Sequence, residues 1–374
     1  MTIQPVGLYL HLPFCEKKCS YCDFPSYAGR LHQREAYTQT LCGEIRQRAR
    51  ETGKLPVDTV FLGGGTPSLM KPAQLEQILG TVFDCFDVQT DAEITSEGNP
   101  GTLTRDYLDM AKNMGVNRLS LGAQSAHEGE LQTLGRIHTW AQVEEAVKLA
   151  RAAGFDNLNI DLMSALPGQD WKALKASLEK ALALQPAHMS VYSLILEEGT
   201  PFYDLHQAGQ LPLPEDEVER ELYWNTAELL EKHGFHRYEI SNYCKSGFEC
   251  CHNLNTWRYH DYLGFGLSAA GLYRGVRQKN VNGLDEYLNG EAPQMEALTA
   301  ADQRFEQAML ALRLREGLSL EAFEKRQGIG VFDLWGDILH RHIKDGLLVL
   351  AGDALVLTSR GFDLMDRLLL DIFP

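Results

Sequence analysis

The chain has 374 residues, 44% of them hydrophobic and 23% charged, and a formal net charge of −16. That usage is ordinary for a folded globular chain with room for one large domain and a small one, and the acidic balance disfavours a nucleic-acid partner, because phosphate binding depends on clustered Lys and Arg. The N-terminus runs into an apolar strand without a basic and apolar leader, and no apolar run approaches the ~20 residues a membrane span requires. With eight cysteines, three of them clustered, a reducing cytoplasmic setting is expected rather than a disulfide framework.

The first predicted strand, Val6 to Leu12, is followed directly by Cys15, Cys19 and Cys22 in the spacing Cys-x3-Cys-x2-Cys. Three thiolates hold three corners of a cubane [4Fe-4S] cluster and leave one iron open to a small molecule, whereas a standard cluster takes four cysteines and a closed zinc site four ligands. Zinc is the alternative, with a fourth ligand from Cys250, Cys251 or His252. Zinc motifs come as paired Cys or Cys/His doublets, however, and no second doublet of that form follows. Cys42 and Cys85 fall in amphipathic helical stretches and read as small core residues.

Strand and helix signals then alternate. A helix at 34–51 precedes a strand at 58–62, a helix at 73–83, a strand at 91–97 and a helix at 102–114. A strand at 117–122 leads to a helix on which Val143, Val147 and Ala150 share a face. A strand at 157–163 leads to one lined by Trp171, Leu174, Leu178 and Leu182, and 188–195 forms the sixth strand. This alternation means a parallel sheet with crossover helices, in which active groups gather at the C-terminal strand ends. The second strand ends in Gly63-Gly64-Gly65-Thr66-Pro67-Ser68, where missing side chains let a ligand approach the backbone. It lacks the Gly-Lys-Ser/Thr ending of a phosphate loop, which excludes a nucleoside triphosphate site. The third strand ends in Glu97-Gly-Asn-Pro100 and the fourth in Gly122-Ala-Gln124-Ser125, with Leu134-Gly-Arg136-Ile-His138 after it; the fifth carries Asp161.

Further on, Pro212-Leu-Pro-Glu-Asp216 bridges into a helix at 218–232. The segments Tyr238-Glu-Ile-Ser-Asn-Tyr243 and Cys250-Cys251-His252-Asn253-Leu-Asn-Thr256-Trp257 follow. Helices at 300–314 and 331–344 then precede two apolar strands around Ala351-Gly-Asp353, a hairpin. Three units are expected, at 1–205, 206–295 and 296–374. Residues 297–374 hold 12 acidic against 9 basic residues, so no DNA role is expected for the last.

The cysteine spacing resembles the radical S-adenosylmethionine (SAM) superfamily, in which SAM chelates the open iron. His11-Leu-Pro-Phe-Cys15 and Tyr21-Cys22-Asp-Phe24 are similar to the cluster motif of the oxygen-independent coproporphyrinogen oxidase lineage, and Phe24 in place of a further cysteine points to its HemW branch. The resemblance implies an α/β fold: a partial (β/α)6 radical SAM barrel with a small winged-helix-like α+β C-terminal domain. It also implies SAM contacts from Tyr9, Tyr21, Gly63, Gly64, Gly65, Thr66, Glu97, Gln124, Arg136 and Asp161. The carboxylates of Glu97 and Asp161 can accept from the ammonium or ribose hydroxyls, Gln124 can donate and accept, and Arg136 can pair with the SAM carboxylate.

The family carries a His-Asn-x-x-Tyr-Trp motif associated with heme. This chain keeps His252, Asn253 and Trp257 but has Thr256 for the tyrosine, and Ala270 where a histidine is usual. His252 is therefore the first candidate axial ligand and Cys251 a substitute, with a hydrogen-bonded His252 and a core-packed Trp257 as the bland alternative. The implied role is binding heme, or a related tetrapyrrole, and passing it to heme-requiring acceptor proteins. A low-potential donor such as a flavodoxin or ferredoxin would serve the cluster, and any peripheral membrane association would come through acceptors. Two enzymatic alternatives stay open: dehydrogenation of coproporphyrinogen III and radical methyl transfer to heme. The oxidases carry a longer N-terminal segment than the 14 residues before Cys15.

Overall fold

The computed structural model describes residues 4–372. Its centre is formed by β1 (Val6–Leu12), β2 (Pro56–Gly64), β3 (Asp87–Gly98), β4 (Arg118–Gln124), β5 (Asn157–Ser164) and β6 (His188–Ser193). They are crossed over by α1 (Arg34–Thr52), α2 (Pro72–Cys85), α3 (Arg105–Asn113), α4 (Trp140–Ala152) and α5 (Trp171–Ala183). All six strands pair parallel in chain order. The termini of the helices follow from local chemistry: Thr104 and Asp170 accept the N–H groups of Tyr107 and Ala173 at the starts of α3 and α5, satisfying donors that have no partner within the helix.

Side chains alternate across a strand, so each strand shows two faces. One carries Leu8, Leu10, Val60, Leu62, Leu119, Leu121, Leu158 and Ile160, all buried in the main apolar core with the helices. The other carries Tyr9, Thr59, Phe61, Thr95, Glu97, Arg118, Ser120, Asn159, Asp161 and His188, and makes a polar lumen whose members hydrogen-bond from strand to strand.

The parallel core is larger than the six strands expected. Tyr262–Phe265 pairs parallel with the free side of β1, setting Gly7 opposite Tyr262 and Leu10 opposite Phe265. A four-residue strand far from the main alternation, preceded only by the seven-residue helix Cys251–Trp257, is too short to show a period. Beyond it the sheet continues antiparallel through Ala270–Tyr273, Val276–Lys279 and Gln294–Ala297; on the other flank β6 pairs antiparallel with Asn242–Cys244, and that with His236–Arg237. The twelve strands do not close on themselves, so the barrel is open.

Near the C-terminus, helices Ala300–Ala311, Leu320–Gln327 and Val331–Lys344 pack on a three-stranded antiparallel sheet of Leu318–Ser319, Leu348–Ala351 and Ala354–Leu357. This is the expected helix-and-hairpin, winged-helix-like arrangement, with its own core around Phe323, Leu339 and Leu355. It is clasped to the preceding part by Arg237, whose guanidinium lies over the rings of Phe362 (4.6 Å), Tyr223 (5.1 Å) and Trp224 (5.1 Å). Among the described residues no helix is long and apolar enough to cross a membrane.

Candidate functional site

The three clustered cysteines lie on the loop leaving β1. Phe14–Cys15 pairs with Tyr27–Ala28, so the intervening chain returns to its start as a closed loop, and Ser20 N–H donates to Leu134 O at 3.0 Å to anchor it beside β4. Cys15, Cys19 and Cys22 are free and half-buried. Thr66 Oγ1 donates to Cys15 Sγ at 3.7 Å and Arg136 Nη1 to Cys19 Sγ at 3.6 Å. Burial pushes the Cys15 thiol up and that of Cys22 up to about 11, the neighbouring thiols adding to both. Three soft sulfurs on one loop with hydrogen-bond donors already aimed at two of them suit iron held by thiolates.

The strand ends meet this loop through Arg136. Its Nη2 donates to Asn99 Oδ1 at 2.7 Å and to Gly122 O at 2.6 Å, and Asn99 Nδ2 donates to Thr66 Oγ1 at 2.8 Å. One guanidinium thus joins the cysteine loop to the ends of β2, β3 and β4, while its Nε is buried without a partner. A small cleft opens here, lined among others by Cys19, Thr66, Asn99, Arg136 and His138. His138 donates from Nε2 to Ala123 O at 3.1 Å, and burial, with Arg136 adding, pulls it down to about 4.

Part of the glycine run is also required by the protein's own packing. A Cβ on Gly64 would lie 2.5 Å from the His11 ring, and one on Gly65 2.8 Å from Phe14 O. The missing side chains at these two positions accommodate the protein's own β1 end and cysteine loop. Gly64 also has φ +109°, a conformation that favours glycine, and its N–H donates to Glu97 Oε2 at 3.1 Å.

Glu97 and Asp161 share the lumen below. Burial, and then the Asp161 charge, push Glu97 up to about 8, and burial also raises Asp161, which accepts from Ser120 Oγ (3.1 Å) and Asn159 Nδ2 (2.6 Å). Two carboxyl groups that resist ionising together favour a positively charged ligand, such as an ammonium or sulfonium. Gln124, at φ +66°, accepts from Tyr192 O–H at 3.0 Å. Tyr9 O–H donates to His11 Nδ1 at 3.0 Å, and His11 Nε2 donates to Pro25 O at 2.8 Å, at the far side of the cysteine loop. Tyr21 packs against Leu134 and Met163. Nine of the ten residues expected around SAM therefore lie on the cysteine loop, at the strand ends or in the lumen directly beneath, and Arg136, on the turn after the helix Glu128–Thr133, reaches the strand ends from beside them.

The sequence reading missed the depth of the polar lumen. Asn159 donates to Ser120 and Ser190 and accepts from His188 Nδ1–H at 2.7 Å, and His188 Nε2 accepts from Tyr238 O–H at 2.8 Å. Arg118, 2% exposed, stands in the same lumen with its Nε unpartnered. The signal was present: polar residues recur every second position in Arg118-x-Ser120, Asn157-x-Asn159-x-Asp161 and His188-x-Ser190-x-Tyr192, where central parallel strands should be apolar.

The expected heme-associated residues lie at the opposite, N-terminal end of the strands. Glu93 accepts the N–H groups of Cys251 and His252 at 3.0 Å each and so docks the helix Cys251–Trp257. His252 points into the lumen: Nδ1 meets Thr59 Oγ1 at 3.0 Å, the ring stacks on Phe61 at 5.1 Å, and burial, with Arg118 adding, pulls it down to about 4. Cys251 is exposed, its thiol raised by burial of its surroundings to about 11, and Trp257 packs with Tyr238, Leu254 and Leu314. The helix thus sends these three side chains in different directions. Thr59 occupies Nδ1, which leaves Nε2 as the ring nitrogen open to a heme iron.

The model of the radical SAM superfamily matches residues 9–181, and that of the HemN C-terminal domain residues 298–364. Among similar proteins, a heme chaperone HemW of Bacillus subtilis is 37% identical over 94% of this chain and 95% of its own. Those of Lactococcus lactis and Escherichia coli are 35% and 34% identical, each over 99% of this chain and 99% and 98% of their own lengths. In fold, the chain superposes on the Escherichia coli coproporphyrinogen III oxidase (HemN), a radical SAM enzyme, with a TM-score of 0.85 at 24% identity, over 99% of this chain and 90% of that one. On its end-to-end likeness to these chaperones, the chain belongs to the HemW family of radical SAM proteins.

Proposed function

We propose that this protein binds heme and passes it to heme-requiring acceptor proteins in the cytoplasm, including acceptors at the membrane. The observation that carries this is the collinear identity of 34–37% with three proteins named heme chaperone HemW. Cys15, Cys19 and Cys22 hold a [4Fe-4S] cluster, and Tyr9, Tyr21, Gly63, Gly64, Gly65, Thr66, Glu97, Gln124, Arg136 and Asp161 surround SAM. When bound, these groups supply one-electron reductive cleavage of SAM, with electrons from a low-potential flavodoxin or ferredoxin. The protein's own part is to keep one sulfur hydrogen-bonded to Arg136, to present the Glu97 carboxyl to a cationic ligand, and to exclude water behind the buried strand ends. The work is divided among 1–205, which carries cluster and SAM, 206–295, which carries the segment of Cys251, His252 and Trp257, and 296–374.

The test is anaerobic incubation of cluster-reconstituted protein with heme, followed by an apo-acceptor. A stable stoichiometric complex, persisting without SAM turnover and yielding heme to the acceptor, supports the proposal. His252→Ala should then change its absorption spectrum, and an effect found at Cys251 instead would move the ligand to sulfur. Conversion of coproporphyrinogen without any heme binding, or methylation of heme, would replace the carrier with an enzyme.

A further inference from the structure

Away from the lumen, at the free edge of the large sheet, a second set of metal-ligating side chains converges. His236 and Cys244 are register partners across the antiparallel edge pair, so their side chains stand on one face. Five residues after Cys244, a turn through Gly247 at φ +85° returns the chain and brings Glu249 against both. His236 Nε2 lies 2.8 Å from Glu249 Oε1 and 3.6 Å from Cys244 Sγ, and the three ligand atoms all fall within 4.8 Å of one another. Burial and the adjacent Glu249 carboxylate hold the Cys244 thiol up, while Phe248 N–H, donating to the sulfur, acts the other way. Cys244 is buried, while His236 and Glu249 are half-exposed and leave a path from solvent.

We infer that His236, Cys244 and Glu249 form a binding site for a single zinc-class divalent ion, distinct from the cluster site. The distances suit it. Ligands at about 2.0 Å for N and O and about 2.3 Å for S on a tetrahedral ion are separated by about 3.5 Å (N to S) and about 3.3 Å (N to O). The N to S pair is already at that spacing, and the N to O pair opens slightly when the hydrogen between them is replaced by the ion. One sulfur, one imidazole and one carboxylate select a borderline ion over Mg2+ or Ca2+, with water in the fourth position. Binding releases the Cys244 thiol proton to solvent, and the His236 ring proton moves from Nε2 to Nδ1. The ion would tie the outermost strand to Glu249, which immediately precedes Cys250 and the helix Cys251–Trp257, and so fix where that helix begins.

The experiment uses the full chain in two forms: cluster-reconstituted, and with Cys15, Cys19 and Cys22 all changed to Ser so that no other thiol triad competes. Anaerobic titration with Co2+ should give a sulfur-to-cobalt charge-transfer band saturating at one equivalent in both. Cys244→Ser should abolish the band, and His236→Gln and Glu249→Gln should each weaken binding about tenfold or more. Zinc X-ray absorption on the triple-serine protein should show one sulfur at about 2.3 Å with nitrogen and oxygen at about 2.0 Å, a readout that needs no variant at the site itself. Absence of the band from both forms, a band that survives Cys244→Ser, or a zinc shell with no sulfur would overturn the assignment.

Discussion

His252 and Thr59 are 193 residues apart in the chain and 3.0 Å apart in space, Nδ1 against Oγ1. The pair fastens the late helix Cys251–Trp257 to β2 from inside the lumen. Because burial holds His252 down to about 4, the unfolded chain takes up a proton below about 6.5 that the folded chain refuses until about 4. Stability should therefore fall as pH drops through that window, by about 3 kcal/mol at its lower end. His252→Gln cannot titrate, so urea midpoints at pH 7 and pH 4.5 should show the gap between wild type and variant narrowing at the lower pH. An unchanged gap would mean that the ring is open to solvent.

Glu97 has the opposite slope. Its carboxyl is raised from 4.5 to about 8, so between those values the folded chain retains a proton that the unfolded chain has released, and stability falls as pH rises. Glu97→Gln should melt higher than wild type at pH 8, with the difference vanishing near pH 5. The same variant should bind SAM more weakly, by about 2–5 kcal/mol if the lost contact is desolvated. Calorimetry on both quantities checks it: a variant that is no more stable at pH 8, or that binds SAM as wild type does, contradicts this account of the lumen.

Cys19 and Arg136 can be separated by chemistry. Cys19→Ala should lose most of the about four irons and four sulfides that reconstituted protein is expected to hold. Arg136→Lys keeps the charge but not the planar fork that reaches Asn99, Gly122 and Cys19 together. It should retain iron while weakening SAM binding. Zinc in stoichiometric amount at the cysteine loop of anaerobically purified protein would contradict the cluster assignment.

Arg237 lies over three aromatic rings at 4.6–5.1 Å, with Tyr223 O–H also taking a hydrogen bond from its guanidinium. Arg237→Ala should cost about 2–3 kcal/mol, a few contacts at about 0.5–2 kcal/mol each. It should loosen residues 298–364 in limited proteolysis without changing iron content. Loss of iron instead would show that this clasp supports the barrel directly.

The alternation of strands and helices was legible because each central element is long and has one apolar face; α1, β5 and Val331–Lys344 lie where periodicity puts them, within a residue or two. The cysteine loop was legible as a loop at the end of β1 because the apolar strand stops directly before it. Tyr262–Phe265 was not, since four residues, one of them Gly264, hold too little pattern to distinguish an edge from a core strand. That His11 and Phe14 also crowd the glycines at 64 and 65 was not legible, because the sequence cannot show which side chains the turn meets. His252 and Cys251 are neighbours in sequence, yet a helix turns successive side chains about 100° apart, which is why one entered the lumen and the other did not.

The parallel pairing of Tyr262–Phe265 with β1 also sets an order of events during synthesis. The strand that launches the cysteine loop emerges from the ribosome first, but one of its two neighbours arrives only after some 250 more residues have been made. Until then β1 has an open edge and the loop has no finished platform, and contacts this distant in sequence form late. Iron and sulfide delivered before then would meet a half-built seat, so cluster loading belongs after Tyr262–Phe265 has emerged.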